Sequence, residues 1–235
     1  MGFYQDLLDS TEEGRRYIVE APIICRCLSG DVGLESYVAF LAQAYHHVKH
    51  TTPLLMTTGG RLSADKEWLR EAVAAYIDEE LGHQEWVLND IAACGFDPEK
   101  VRQTAPNSST ELMVAYAYDL VARINPLGFF GMVQVLEGTS ISIASLAADK
   151  IQKTLGLPDA AFSYLRSHGV LDQSHVTLFA SLMNRIEDPG EQELIIHSAR
   201  MFYQLYGNVF RQLDPAQAAM FKPRDVQTAR RSPWS

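Results

Sequence analysis

Apolar residues recur at three- and four-residue intervals along almost the whole chain, and no segment alternates apolar and polar positions between hairpin turns. The pattern predicts an all-α protein with helices over roughly 3–28 (bent near Pro22), 34–58, 64–94, 108–124, 126–155, 158–186 (broken near Gly169) and 188–213. Punctuation agrees with these limits. Ser63, Asp97, Ser108, Asn125 and Asp188 stand where N-caps are wanted, and Asn125 and Asp188 are each followed by a proline at the first helical position. Gly30, Gly59, Gly95 and Gly156 stand where helices should stop. Internal repeats and low-complexity tracts are absent, so a compact bundle is expected: one domain over 1–213 and a tail over 214–235 containing the basic pair Arg230 and Arg231.

One helix breaks the rule that buried faces are apolar. Glu137 interrupts Phe129, Phe130, Met132, Val133, Val135, Leu136, Ile141, Ile143 and Leu146, a helix apolar on most of its circumference. An uncompensated carboxylate in such a place costs several kcal/mol or takes up a proton, so it calls for a cation, a hydrogen-bond network or a functional use.

Two further spacings point to a cation. Glu80 and His83 in EELGHQEW stand at i and i+3, the Glu-x-x-His interval that helical bundles use to turn two ligands inward. Glu79 could take the place of Glu80. On a continuous helix turning about 100° per residue, His168, Asp172 and His175 would fall within roughly 60° of arc on one face. Gly169 weakens that helix, and the segment is expected to tighten only when metal is loaded, which hydrogen exchange over 166–177 with and without Fe(II) would test.

Glu80, His83, Glu137, His168, Asp172 and His175 together supply three imidazoles and three carboxylates. Two divalent ions would leave about one positive charge for a substrate or oxygen ligand, whereas six ligands on one ion leave no open position. A ligand set without thiolate favours iron, with manganese as an alternative. Glu137 and His175 are the expected catalytic members.

Tyr45, His46, His47 and His50 form the densest histidine cluster. Tyr45, His46 and His50 are read as substrate-binding residues lining a pocket, with a third metal site or purely structural roles as the other possibilities. Tyr116, Tyr118, Phe129, Phe130, Phe202, Tyr203 and Tyr206 are expected to be mostly core, as are Met132, Met183 and Met201, while His197 should face solvent.

Composition narrows the class. A net charge of −9, with pI near 5.2 and scattered basic residues, argues against nucleic acid as a partner. No signal-peptide pattern and no apolar run approaching the ~20 residues of a membrane span were found, so a cytoplasmic protein without a membrane partner is expected. Cys25, Cys27 and Cys94 are an odd number, fit a reducing compartment, and read as small buried hydrophobes.

The Glu-x-x-His at 80 and 83, the lone Glu137 and the His-x3-Asp-x2-His at 168, 172 and 175 resemble the haem-oxygenase-like diiron oxidases and oxygenases of the TenA/PqqC superfamily, with a ligand pattern similar to the UndA-like fatty-acid decarboxylases. The resemblance runs from about Leu34 to Phe210. It implies a seven-helix haem-oxygenase-like bundle, commonly a homodimer, in which the six residues bind two irons, Fe(II) or Fe(III), that react with O2 and a small organic acid such as a fatty acid or amino acid. It implies no haem, because a proximal-histidine segment near the N-terminus is lacking, and no thiaminase chemistry, because Cys94 lies at a helix end beside Gly95. The rival expectation is a metal-independent TenA/PqqC-like enzyme or a small-molecule-binding protein of the same fold.

Overall fold

The computed structural model of the chain describes residues 2–170 and 172–223, with side chains for all of these except 139–142 and 168–175. Helix makes up 82% of it and there is no strand among the described residues, as the periodicity predicts. The α-helices are α1 Phe3–Ser10, α2 Glu12–Val19, α3 Pro22–Ser29, α4 Leu34–Val48, α5 Thr51–Arg61, α6 Glu67–Glu80, α7 His83–Ala93, α8 Pro98–Arg102, α9 Ser108–Asp119, α10 Phe129–Leu155, α11 Ser163–Val170, α12 Asp172–Met183 and α13 Pro189–Arg211. A π-helical turn, Leu120–Ile124, follows α9.

The caps work largely as their chemistry requires. The side chains of Asp97, Asn125 and Asp188 accept from the backbone N–H of Glu99, Leu127 and Glu191 at 2.9–3.0 Å. At the start of α9 the cap is Asn107, one residue before the predicted Ser108, and it accepts from Thr110 N at 2.9 Å. Ser63 precedes a short 3-10 turn and makes no side-chain cap. Gly30 and Gly156 end α3 and α10 in the left-handed conformation. Gly59 does not end a helix: it lies inside α5, where α6 comes so close that an added Cβ would sit 3.2 Å from Val73 Cγ1.

Several predicted long helices are interrupted. The 3–28 segment is three helices, broken at Thr11 and before Pro22. The 34–58 segment breaks at Lys49 and His50, where Pro53 can be accommodated only in the first turn of a new helix. The 64–94 segment breaks at Leu81 and Gly82, with Gly82 at φ +93°.

Helix α10 runs through the centre, packed on α13 and α11, while α5 pairs with α6, α4 with α7 and α9 with α13. Gly131 makes the α10–α13 crossing tight: a Cβ there would overlap Ser198 Oγ and lie 2.6 Å from Ala199 N. The segment Pro126–Leu155 is long and apolar enough by composition to cross a membrane, with mean hydropathy 1.3 in its most apolar window, but 64% of that window is buried inside the bundle. Its apolarity is that of a core helix.

Two apolar cores result. One gathers α5, α6, α9, α10 and α13 around Leu54, Leu69, Met113 and Phe202; the other gathers α4, α7 and α11 around Tyr37, Leu41, Ile91 and Phe162. Within the aromatic set Phe129, Phe130, Phe202, Tyr203 and Tyr206 are buried, and Tyr116 and Tyr118 pack against the first core. Met132 and Met183 are buried too, whereas Met201 is exposed, contrary to its predicted core role, because its position on α13 turns outward. His197 is exposed as predicted. Cys27 and Cys94 are buried with thiols pushed up to about 11 and about 12 by burial, and Cys25 is exposed. The first part of the predicted tail is docked: Pro215–Phe221 forms a 3-10 helix against α4, and Phe221 O accepts from Asp97 N at 2.8 Å.

Candidate metal centre

The seam between the two cores holds a cavity of about 30 Å³, room for about two water-sized groups. Its polar lining comes from six helices: His47 on α4, Thr51 on α5, Tyr76 and Glu80 on α6, Glu137 on α10, Tyr164 on α11 and Tyr206 on α13. The remaining walls are apolar, including Val48, Phe129 and Met132.

Glu80 and His83 are both buried, and His83 Nδ1 lies 3.1 Å from Glu80 Oε2. Their proximity does not arise from one continuous helix, as the spacing alone suggests. Glu80 is the last residue of α6 and His83 the first of α7, and the left-handed Gly82 between them breaks the helix while the two side chains still meet. The His83 ring lies against Trp86, centroids 4.1 Å apart. Across the cavity Tyr76 OH donates to Glu137 Oε1 at 2.5 Å. Glu79, the alternative to Glu80, is exposed to solvent and lines a neighbouring chamber.

That chamber, about 90 Å³, is walled mainly by apolar residues of α5, α6, α10 and α12, and it shares Tyr76, Phe129, Val133 and Glu137 with the central cavity. Glu137 therefore stands at the junction of a polar pocket and an apolar one. A further apolar cavity of about 100 Å³, lined by α3, α4 and α10 residues, shares Tyr206.

The field is negative. Burial, then Glu137, Glu80 and Glu79, hold the Tyr76 phenol well above its ordinary range; burial, then Tyr206, Glu80 and Glu137, do the same to Tyr164. Both phenols remain protonated donors at neutral pH, and a cation placed in this cavity would be stabilised.

Of the α4 histidines it is His47 that reaches the cavity. Tyr45, His46 and His50 do not line it. His46 is buried with Nε2 3.2 Å from Thr104 Oγ1, and its pKa is lowered to about 4 by burial and the nearby Lys49 and His50. His50 Nδ1 lies 3.0 Å from Tyr118 OH. Tyr45 packs in the second core, with Lys49 and Arg102 near its ring.

His168 lies on α11 and Asp172 and His175 lie on α12; residue 171 between the two helices and the side chains of 168–175 fall outside the described residues. Among the described residues no group of three or more His, Cys, Asp and Glu is gathered tightly enough to hold a metal by itself. Glu80, Glu137 and His47 line the cavity, and His83 contacts Glu80 without lining it; imidazole and carboxylate groups of this kind are a chemistry that would suit iron or manganese, and no thiolate lines the cavity. Tyr76 and Tyr164 were not anticipated from the sequence, yet each precedes an expected ligand by four residues, one helical turn.

A family model described as an iron-containing redox enzyme, of the haem oxygenase-like type, matches residues 38–207. The chain belongs to this iron-containing redox enzyme family. Iron is the metal to which membership points, and residues 38–207 contain Glu80, His83, Glu137, His168, Asp172 and His175. No curated protein matches the chain significantly. Among solved structures, a domain of unknown function with a heme oxygenase-like fold from Shewanella denitrificans superposes with TM-score 0.80 at 21% identity, covering 91% of this chain and 92% of its own. A TenA homolog from Pseudomonas syringae gives TM-score 0.77 at 11% identity over 92% and 93%. Heme oxygenase-1 from Synechocystis, solved in complex with heme, gives 0.72 at 13% over 93% and 96%. The haem-oxygenase-like fold of the family member is thereby established.

Proposed function

We propose that this protein is a non-haem diiron enzyme that uses O2 to oxidise a small organic acid, such as a fatty acid or amino acid. The observation that carries the reading is the position of Glu137: a carboxylate on a central apolar helix that faces Glu80 and His47 across one small buried cavity and borders an apolar chamber on the other side. Glu80, His83 and Glu137, with His168, Asp172 and His175, would hold the two ions. Iron bound there would supply electrons and Lewis acidity. Glu137 and His175 would be the ligands nearest the chemistry. Tyr76 fixes the Glu137 carboxylate through its hydroxyl, and the apolar walls exclude water from the space where the acid's apolar part would lie. We further propose a cytoplasmic homodimer with no nucleic-acid or membrane partner, consistent with the net charge of −9.

The test is to load purified protein anaerobically with Fe(II) and measure iron per chain. About two irons, and a transient visible absorption band on mixing with O2, are expected; His83→Ala and Glu137→Ala should each lower the stoichiometry while keeping the helical circular dichroism. Iron-replete protein that retains no metal and ignores O2 would refute the reading. The Tyr76–Glu137 hydrogen bond favours a second reading, a metal-independent acid–base enzyme, and turnover surviving chelator treatment would select it.

A further inference from the structure

Asp90 is a fully buried carboxylate on α7, two turns after His83. Its partners lie more than seventy residues away. Asp90 Oδ1 accepts from Ser163 N at 3.0 Å and from the Ser163 hydroxyl, and Oδ2 accepts from Tyr164 N at 2.9 Å. Ser163 and Tyr164 are the first two residues of α11, whose leading N–H groups have no partner within the helix. Asp90 thus caps α11 from another helix, and its charge is placed where the helix dipole stabilises it. The preceding turn is held as well, since Tyr37 OH donates to Ala161 O at 2.6 Å and the Tyr37 and Phe162 rings stack 5.4 Å apart.

We propose that Asp90 is a positioning residue for the metal centre: by clamping the start of α11 onto α7 it fixes Tyr164 and His168 relative to the Glu80–His83 pair. One carboxylate then sets the separation between two parts of the proposed ligand set that are far apart in the chain. Neither Asp90 nor Ser163 lines the central cavity, so the role is exerted through the helix. The inference rests on the iron-site reading above.

Asp90→Asn and Asp90→Ala should be compared with Ser163→Ala, which keeps both backbone bonds, and with Met113→Ala, a buried substitution in the other core that controls for lost stability. Fe(II) affinity is read by competition with a chelator, and amide exchange of residues 163–170 is read on metal-free protein. Asp90→Ala should weaken iron binding about 10–100-fold, as loss of groups that orient metal ligands does, and should accelerate exchange at 163 and 164. Asp90→Asn should fall between, because its amide group must oppose a backbone donor, and Ser163→Ala should lie near wild type. Should Asp90→Ala fail to fold, Asp90→Asn supplies the same comparison. Wild-type affinity in Asp90→Asn, or an equal loss of iron affinity in Met113→Ala at matched stability, would overturn the proposal. If wild-type protein takes up no iron, the site reading itself fails, while unchanged exchange at 163 and 164 would separately refute the clamp.

Discussion

Removing the Tyr76 hydroxyl separates what the Glu137 environment does without metal from what it does with metal. Tyr76→Phe keeps the ring and its packing, so the change is confined to one hydrogen bond to Glu137 Oε1. Bonds of this kind to a carboxylate contribute about 1.5–3 kcal/mol, and the half-buried position of Tyr76 argues for the lower end, about 1.5. Metal-free Tyr76→Phe should unfold in urea with that loss of stability. If iron takes over the Glu137 carboxylate, the phenol matters less in the loaded protein, and the thermodynamic cycle requires the variant to bind Fe(II) more tightly, by up to about tenfold for about 1.4 kcal/mol. Urea titrations of the metal-free and Fe(II)-loaded forms, together with a chelator competition, measure every side of the cycle. Equal destabilisation of both forms, or weaker iron binding by the variant, would refute the idea that phenol and metal compete for Glu137.

His46 gives a pH test. Its folded pKa near 4 lies below the unfolded value near 6.5, so the unfolded chain takes up a proton first and stability falls as pH drops from about 6.5 to about 4, by up to about 3 kcal/mol; His46→Leu should flatten that part of the urea stability profile, and an unaltered profile would refute the assignment. Gly131→Ala should destabilise by about 1–3 kcal/mol, because its Cβ meets the backbone of α13 at Ala199 N and Ile195 O and neither can swing aside; thermal unfolding within experimental error of wild type would contradict the tight crossing. Gly82→Ala has open space around its new methyl but must hold φ near +93°, at a cost of about 1–2 kcal/mol, and it should weaken iron binding because the strain falls between Glu80 and His83; a chelator competition giving wild-type affinity would count against the turn's role.

Much of the molecule is legible in its sequence. The periodicity of 3.6 gives an all-α fold, the Asp97, Asn125 and Asp188 caps mark helix starts through short-range bonds, and Glu137 announces itself as a carboxylate where only apolar groups should be. These signals survive because they depend on neighbours within one turn of chain. The tertiary structure alone decided the rest. A pattern of continuous helix across 64–94 conceals the break at Gly82, although a glycine between Glu80 and His83 was the available hint. Helix α4 is buried on most of its surface, so spacing could not say which histidine faces the site; packing turned His47 to the cavity and His46 toward Thr104. The capture of α11 by Asp90 joins positions 90 and 163, and no local pattern encodes such a pair. What the sequence by itself determined was the all-helical character, the capped helix starts and the inward-facing Glu137; where the long helices break, and which side chains from distant parts of the chain share a cavity, was set by long-range packing.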